Sequence, residues 1–228
     1  MTSRMTRYLL LLVVLALLAG CGGTNTDGWV IDATLFVPNY VADLDGRLYH
    51  WGDLPMTVHF ELPVAWAAIF GSDADLYRWA AAEWNGEREM IRILSSSSSA
   101  DVSVTFVSQV ALGGTTWGRT SFHYYPSTGE MSDATVQIAL WDRRGDPIAA
   151  EDIQAIIAHE LGHALGIGGH SMNPDDLMYV THTFGSPNSV GLRDMNTLKT
   201  AYSSYFGRAL VGQEVVGSPG PLAHGVIE

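Results

Sequence analysis

Hydrophobic and polar positions follow two different periods along this chain of 228 residues. In the first half, DVSVTFV at 101–107 alternates strictly and is rich in β-branched residues, which predicts a strand. Later, AAEDIQAIIAHELGHAL repeats its apolar positions every three to four residues, which predicts a helix over 149–165. The same patterns predict the other elements, which are strands at 56–63 and 91–94, two strands around a turn at 126–129 within 113–140, and helices at 73–87 and 189–206.

This order of strands and helices predicts an α+β, or mixed α/β, domain built on one twisted sheet. We place the domain at residues 53–206. Residues 21–52 mix Gly, Asn and Asp with scattered aromatic residues, and we interpret them as a tether whose later part packs on the domain. Residues 207–228 are rich in Gly and Pro, so we interpret them as an extension outside the core.

Residues 1–20 have the composition of a secretory signal peptide. Arg4 and Arg7 precede the unbroken apolar run LLLLVVLALLAG at 9–20. As a helix this run spans about 18 Å, which is too short to cross a membrane but suits a signal-peptide core. It ends at Cys21, the only cysteine, so the fold can have no internal disulfide.

The sequence LAGC at 18–21 resembles the bacterial lipobox, in which a peptidase cleaves before the cysteine and the thiol then carries a lipid. The resemblance implies a lipoprotein anchored to the membrane of the cell envelope through Cys21. Gly22 stands where an aspartate often retains such proteins at the inner membrane, which favours the outer membrane, on its periplasmic side or at the cell surface. An ordinary secretory signal followed by a coincidental cysteine is the alternative.

The charge of the chain excludes one class of partner. Acidic residues outnumber basic ones by 24 to 12, which gives a formal net charge of −12. A chain this acidic repels phosphate backbones, so we expect no nucleic-acid binding. We interpret the acidity as a solvated surface and expect a monomer.

Two histidines of the predicted helix, His159 and His163, are four residues apart and therefore lie one turn apart on one face. They offer two imidazole nitrogens to one cation. Glu160 lies about 100° round the helix from His159, where its carboxylate can reach a water at the metal without ligating the metal. The other side of the helix is apolar and can be buried, with Ile153, Ile157, Leu161, Ala164 and Leu165.

His170 supplies a third imidazole after the helix, and Gly166 stands where a left-handed helix cap favours glycine. Three imidazoles suit Zn²⁺ better than Ca²⁺ or Mg²⁺, and three protein ligands leave the fourth position that a catalytic site needs. One catalytic zinc ion is expected, and additional structural zinc or calcium stays open at this point. His123 lacks suitably spaced acidic or histidine partners and is interpreted as a strand residue, and DLDG at 43–46 is interpreted as a plain turn.

The stretch HELGHALGIGGHS at 159–171 resembles the metzincin motif HExxHxxGxxH, and its LG pair and final serine are similar to the matrixin (matrix metalloprotease) branch. Met178 in DLMY lies eight residues after His170 and resembles the Met-turn of that branch. The resemblance covers roughly 50–206 and is specific at 159–179. It implies a metzincin-like fold with one twisted, mostly parallel sheet, an active-site helix and a C-terminal helix that contains Asp194 and Tyr202.

The third histidine departs from the family motif, which places it three residues after the glycine. This chain has Gly169 at that position and the imidazole one residue later. An extra residue adds at most about 3.5 Å of reach, and two consecutive glycines can loop out through positive φ at little cost. We therefore expect His170 to be the third ligand. The other candidates are His182 in the loop after the Met-turn and, less favoured, Asp175 and Asp176.

The resemblance implies a zinc-dependent endopeptidase in which Glu160 is the general base. Its protein or peptide substrate would lie extended along the edge strand of the sheet, in 115–125, and the loop at 179–188 would shape the pocket. No cysteine-switch propeptide is available, because the resemblance to a lipobox assigns the only cysteine to the lipid. The alternatives are a non-catalytic or weakly active zinc-binding envelope lipoprotein with the same fold, and a scaffold whose motif is incidental.

Overall fold

The computed structural model describes residues 39–40, 48–86, 88–202 and 221–228. The predicted signal peptide, Cys21 and the turn predicted at 43–46 lie outside these residues. The described residues all belong to one unit, Pro38–Glu228. Among them, no helix combines the length and the apolar character that a membrane crossing requires.

One seven-stranded sheet forms the framework of this unit. Its path runs β3-β2-β4-β6-β5-β7, and β1 pairs with β6 beside that path. Strands β1 to β4 and β6 pair in parallel, whereas β5 is antiparallel to both β6 and β7. The strands are β1 (His50–Trp51), β2 (Met56–Glu61), β3 (Ile91–Leu94), β4 (Val102–Ser108), β5 (Gly118–Tyr124), β6 (Glu130–Trp141) and β7 (Ala223–Ile227). The predicted α+β (mixed α/β) class with a mostly parallel sheet is confirmed.

Four α-helices accompany the sheet in the described part of the chain: α1 (Trp66–Phe70), α2 (Leu76–Glu83), α3 (Ala150–Ala164) and α4 (Leu192–Ala201). Helices α2, α3 and α4 lie within the stretches predicted to be helical, and each is shorter than its prediction. Helix α1 was not predicted, because its five residues are too few to show a period. Tertiary packing explains it: the Trp66 indole donates to Ala74 O at 2.7 Å and its ring packs on Phe70, 4.6 Å between centroids.

The core lies between the sheet and helices α2 and α3. The apolar back predicted for α3 is fully buried, and Trp84 at the end of α2 donates from its indole to Ala158 O on α3 at 2.8 Å. One face of α3 is therefore fixed against the core, and the opposite face is available to carry functional side chains.

Hydrogen bonds from distant parts of the chain hold the C-terminal end of α3. The Trp51 indole donates to Ala164 O at 2.8 Å, and the Tyr202 hydroxyl donates to Leu165 O at 2.5 Å. Tyr49 N donates to Gly166 O at 2.8 Å, and Gly166 has φ +116°, as the predicted glycine cap requires. These bonds satisfy carbonyls that a helix end leaves without partners, and they fix where the chain leaves α3.

The structure adds a strand to the predicted C-terminal extension, of which it describes residues 221–228. We expected an extension outside the core, but Ala223–Ile227 form β7, which pairs with β5. The flanking Gly and Pro residues hid this short strand, and its pairing depends on a sheet edge that no local pattern shows. At the other flank, β1 lies within the predicted tether, whose later part does pack on the domain.

Candidate metal centre

Helix α3 brings His159 and His163 together as its period requires. Their ring centroids are 4.8 Å apart, and the two Nε2 atoms are 3.1 Å apart. His163 is fully buried and His159 is partly buried. The two rings therefore direct equivalent nitrogens at one point, on the face of the helix opposite its apolar back.

Backbone carbonyls fix the tautomer of both rings. His159 Nδ1 lies 2.7 Å from Leu177 O, and His163 Nδ1 lies 2.7 Å from Ile167 O. A carbonyl oxygen can only accept, so each Nδ1 carries the proton and donates it. In the neutral rings each Nε2 is then a bare acceptor, and the two lone pairs face each other.

Two facing lone pairs at this distance fit a cation between them. Zinc bonds to imidazole nitrogen at about 2.05 Å, so two ligands of a tetrahedral ion lie about 3.3 Å apart. The distance of 3.1 Å between the Nε2 atoms is close to that value. A backbone carbonyl on Nδ1 is also the usual partner of a metal-ligating imidazole. The donor set and its geometry therefore fit zinc.

His170 joins these two histidines despite the extra residue in its motif. The ligand nitrogens of the three residues all lie within 4.8 Å of one another, the one such group of His, Cys, Asp or Glu found among the described residues. A tight turn accommodates the insertion: Gly169 N donates to Ile167 O at 3.1 Å, and Gly169 has φ +145°. Ile167 O is also the acceptor for His163 Nδ1, so the same carbonyl closes the turn and orients a histidine.

The electrostatic environment keeps the three imidazoles neutral, as metal ligands must be. Burial, with repulsion from His170, lowers the pKa of His159 to about 4. Burial and the two neighbouring histidines hold the pKa of His163 well below its ordinary value, and burial lowers that of His170.

Glu160 of α3 lies beside the histidines and contacts the start of β5. Its side chain is 3% exposed, and the Thr120 hydroxyl donates to its Oε2 at 2.6 Å. Burial raises the pKa of Glu160 to about 8; nearby Glu228 acts in the same direction and the Thr120 hydroxyl opposes it. A carboxylate that titrates near neutral pH is suited to accept and return a proton.

The backbone of β5 passes directly over this carboxylate. A Cβ atom built on Gly118 would lie 2.2 Å from Glu160 Oε1, so only glycine leaves room for the side chain. Neither Thr120 nor Gly118 was recognised from the sequence as part of the site. Both act through a contact across 40 residues or more, which no local motif records.

The predicted Met-turn lies beneath the helix. Met178 is fully buried, and its Sδ packs against α3 where a Cβ on Gly162 would come within 2.5 Å. Ser171 N donates to Met178 O at 2.7 Å, which ties the turn to the residue after His170.

Asp194 of α4 holds the Met-turn from below. It accepts from Leu177 N at 3.2 Å, Met178 N at 3.3 Å and Gly191 N at 2.8 Å, and the Tyr40 hydroxyl donates to it at 3.1 Å. Burial raises the pKa of Asp194, while the bonds from the backbone N–H groups act against that rise. Because Leu177 O is the acceptor for His159, this network extends from the last helix to a candidate ligand.

The alternative third ligands are engaged elsewhere. His182 Nε2 lies 3.0 Å from Asp152 Oδ1, and Asp152 also accepts from Gly185 N at 3.0 Å, so this pair anchors the loop after the Met-turn. Asp176 accepts from the Ser171 hydroxyl and from Arg193 Nε at 2.8 Å. Asp175 is an exposed turn residue.

A pocket opens in front of His159 and His170. One wall comes from the residues leading into β5, and the other from the loop at 179–183 and Asn188, as predicted for this loop. The Trp117 and Phe184 rings, 4.6 Å between centroids, join the two walls. The pocket is also lined by Glu228, the residue that follows β7.

His123 has an acidic and a histidine neighbour, which its spacing in the sequence did not indicate. Its Nδ1 lies 2.8 Å from Asp133 Oδ1 on β6, and its ring centroid is 5.1 Å from that of His224 on β7. The spacing in sequence could not show this, because strand pairing brings the three residues together. The group lies at the surface, apart from the pocket.

Comparison with known proteins agrees with this geometry. The matrixin family model matches residues 76–203, which is more than half of the chain. A stretch of 90 residues is 30% identical to macrophage metalloelastase from Rattus norvegicus and covers 38% of this chain but only 18% of that protein. The matched family segment contains the three histidines, Glu160 and the Met-turn. The chain therefore belongs to the matrixin family, whose fold and histidine group it carries.

Proposed function

We propose that this protein is a zinc-dependent endopeptidase that hydrolyses peptide bonds in extended protein substrates. The observation that carries the proposal is the pair of bare Nε2 atoms, 3.1 Å apart, beside a buried carboxylate at the base of one pocket. Membership of the matrixin family and the similarity to a metalloelastase support it.

His159, His163 and His170 would hold one catalytic zinc ion, with Met178 packed beneath them. When bound, zinc supplies a Lewis acid that acidifies water and polarises a carbonyl group. The carbonyls of Leu177 and Ile167 keep two of the imidazoles in the tautomer and orientation that present Nε2.

Glu160 would move the protons. In its ionised form it accepts a proton from the attacking water, and it later delivers that proton to the amine that leaves. The Thr120 hydroxyl, 2.6 Å from Oε2, orients the carboxylate, and the wall formed by Gly118 keeps it close to the histidines. Burial of the carboxylate is consistent with the proton remaining on it between the two steps.

The substrate would bind in an extended conformation along β5, on the side of the strand that β7 occupies in this structure. Pairing with an edge strand positions a peptide through its backbone and leaves alternate side chains to select it. Cys21 would carry the lipid that anchors the enzyme to the cell envelope, in the outer membrane on its periplasmic side or at the cell surface. We retain the monomer as the expected state.

Zinc content and proteolysis of one purified protein test this proposal. We expect the chain without residues 1–21 to bind about one zinc ion per molecule and to cleave a denatured protein, as the family's zinc sites do. Glu160→Ala should abolish cleavage and retain the metal, because Glu160 is not a ligand. Unaltered cleavage by Glu160→Ala would refute the assigned mechanism.

The alternative of a weakened, non-catalytic site gains no support from the geometry. The turn at Ile167–Gly169 takes up the extra residue and leaves His170 within reach of the other two histidines. Deleting Gly169 should therefore lower zinc affinity. A large gain in affinity or activity would favour the alternative instead.

A further inference from the structure

The edge of β5 proposed for substrate is paired with the chain's own residues. Strand β7 runs antiparallel to β5, from Ala223 opposite Tyr124 to Ile227 opposite Thr120. Strand β7 has no other neighbour in the described sheet, so its departure would leave every other strand pair intact. It occupies the side of β5 on which an added peptide strand would pair.

The direction of β7 brings its end to the pocket. Glu228 follows the strand and lines the same pocket as His159 and Glu160. Its carboxylate forms an ion pair with Arg119, whose side chain is 27% exposed while that of Glu228 is 47% exposed. The pair is anchored in β5 through Arg119, and its Glu228 end reaches the pocket that Glu160 also lines.

Arg119, whose Nη2 also donates to Leu112 O at 3.4 Å, has capacity for a further contact. Its Nε–H is buried and finds no acceptor among the described residues. Guanidinium groups bind carboxylates through two adjacent N–H groups, and here one of those groups is unused. A carboxylate of a bound peptide, placed slightly differently from that of Glu228, could accept from both.

The fit of 221–228 to β5 is close at one further position. A Cβ on Gly225 would lie 2.6 Å from the Phe122 ring, so the strand can approach only with glycine at that position. Val226 points the other way and is 50% exposed. The segment thus has the alternation of a bound peptide strand: Gly225 meets Phe122 on one side, and Glu228, two residues after Val226, meets Arg119 on the other.

We propose that β5 forms a peptide-binding groove that selects an acidic side chain at Arg119, next to the zinc centre, and that residues 221–228 occupy this groove as an internal competitor of the substrate. The inference rests on the proposed function in so far as it calls the competing peptide a substrate, but the peptide binding itself does not require catalysis. It names the class of ligand: an extended peptide with a small residue opposite Phe122 and an acidic residue at Arg119.

Peptide binding tests the groove directly. The probe is a fluorescent peptide PLAHGVIE, and its anisotropy is measured with the full chain in detergent and with the chain ending at Gly220, both carrying Glu160→Ala. We expect the shortened chain to bind about tenfold more tightly, because a tethered segment competes at a high effective concentration. Equal affinities would overturn the proposal.

A substitution that keeps the chain whole guards against misfolding of the shortened form. Gly225→Val should release β7 by its clash with Phe122 and reproduce the tighter binding, whereas Val226→Thr, on the exposed side, should leave the affinity of the full chain unchanged. If neither Gly225→Val nor the shortened chain binds the peptide more tightly than the full chain, residues 221–228 are not an internal competitor.

The acidic preference has its own comparison. On the shortened chain, the peptide ending in Gln should bind about fivefold more weakly than the peptide ending in Glu, the effect expected of a partly exposed ion pair. On Arg119→Gln the two peptides should bind equally. A persistent preference in Arg119→Gln would remove this residue from the assignment.

Cleavage assays separate this inference from the proposed function. Without Glu160→Ala, both the shortened chain and Gly225→Val should cleave an acidic peptide faster than the full chain. If the peptide binds as described but none of the three proteins cleaves it, the groove is supported and the endopeptidase is refuted. Cleavage at one rate by all three would leave the endopeptidase and refute the internal competitor.

Discussion

Gly118→Ala should disable catalysis while leaving the metal in place. The added Cβ would lie 2.2 Å from Glu160 Oε1, whereas ordinary van der Waals contact begins at 3.4 Å, so the carboxylate must move by about 1.2 Å. The three nearest atoms that the new Cβ would meet are Oε1, Cδ and Cγ of Glu160, so this side chain must take up the displacement. The substitution therefore displaces the proposed base and spares the histidines.

The size of the effect follows from the displacement. A misplacement of about 1 Å in a catalytic group can reduce the rate about a hundredfold. We expect kcat on a denatured protein or peptide substrate to fall by about that factor, with zinc content unchanged. The bond from Thr120 to Glu160 Oε2 is expected to break in the same movement, because it holds the carboxylate where the methyl group would lie.

Gly86→Ala is the matched control. A Cβ there would meet only the end of Met195, at an ordinary 3.8 Å, so we expect wild-type kinetics and zinc content. Zinc measured by atomic emission and initial rates measured on the same preparations complete the assay. Full kcat in Gly118→Ala, with Glu160→Ala inactive, would show that the position of Glu160 in the structure is not its position in catalysis.

Three further outcomes are expected from the same geometry. In metal-free protein, the folded state keeps a proton on Glu160 between pH 4.5 and about 8 that the unfolded state releases, so this group lowers stability as pH rises through that window. Urea unfolding should therefore show Glu160→Gln gaining stability over wild type by up to about 1.4 kcal/mol per pH unit there; a constant difference would contradict the buried carboxyl. Gly166→Ala should destabilise the fold by more than about 2 kcal/mol, because its Cβ would lie 2.1 Å from Tyr49 O at φ +116°, and an unchanged thermal midpoint would exclude this approach. His170→Ala should weaken zinc binding in a chelator competition more than His182→Ala does, and the reverse order would assign the third ligand to His182.

The local sequence pattern was sufficient to predict the longer helices, most of the strands and the buried face of α3. A helical period with an apolar back predicts which side of the helix is buried, and the spacing of His159 and His163 predicts that they share the other side. Both follow from geometry within one helix, so the rest of the fold cannot easily alter them. The fold class could be predicted for the same reason, since it depends on the order of elements.

Long-range contacts could not be predicted in this way. The bonds of Thr120 to Glu160 and of His182 to Asp152 each join elements that are far apart in sequence. Strand β7 is a further case, because five residues between Gly- and Pro-rich stretches form a strand only where an edge such as β5 is free. The sheet edge is a product of the whole fold, so a strand within 221–228 could not be predicted without its partner.

The extra residue before His170 fits because the supports of the candidate ligands are backbone atoms. His159 and His163 are oriented by the carbonyls of Leu177 and Ile167, which any residue could supply. What the site requires is that these two carbonyls stay in position. Asp194 meets that requirement for the Met-turn, by accepting from Leu177 N and Met178 N.

A glycine meets the same requirement for the other carbonyl. Gly169 adopts φ +145° and donates to Ile167 O, so the turn closes on the atom that orients His163. A change in loop length is therefore tolerated where glycine can close the turn, whereas a side chain at Gly169 would strain it. Since the turn carries the chain directly into His170, the spacing of the third histidine and the orientation of the second are set by one carbonyl.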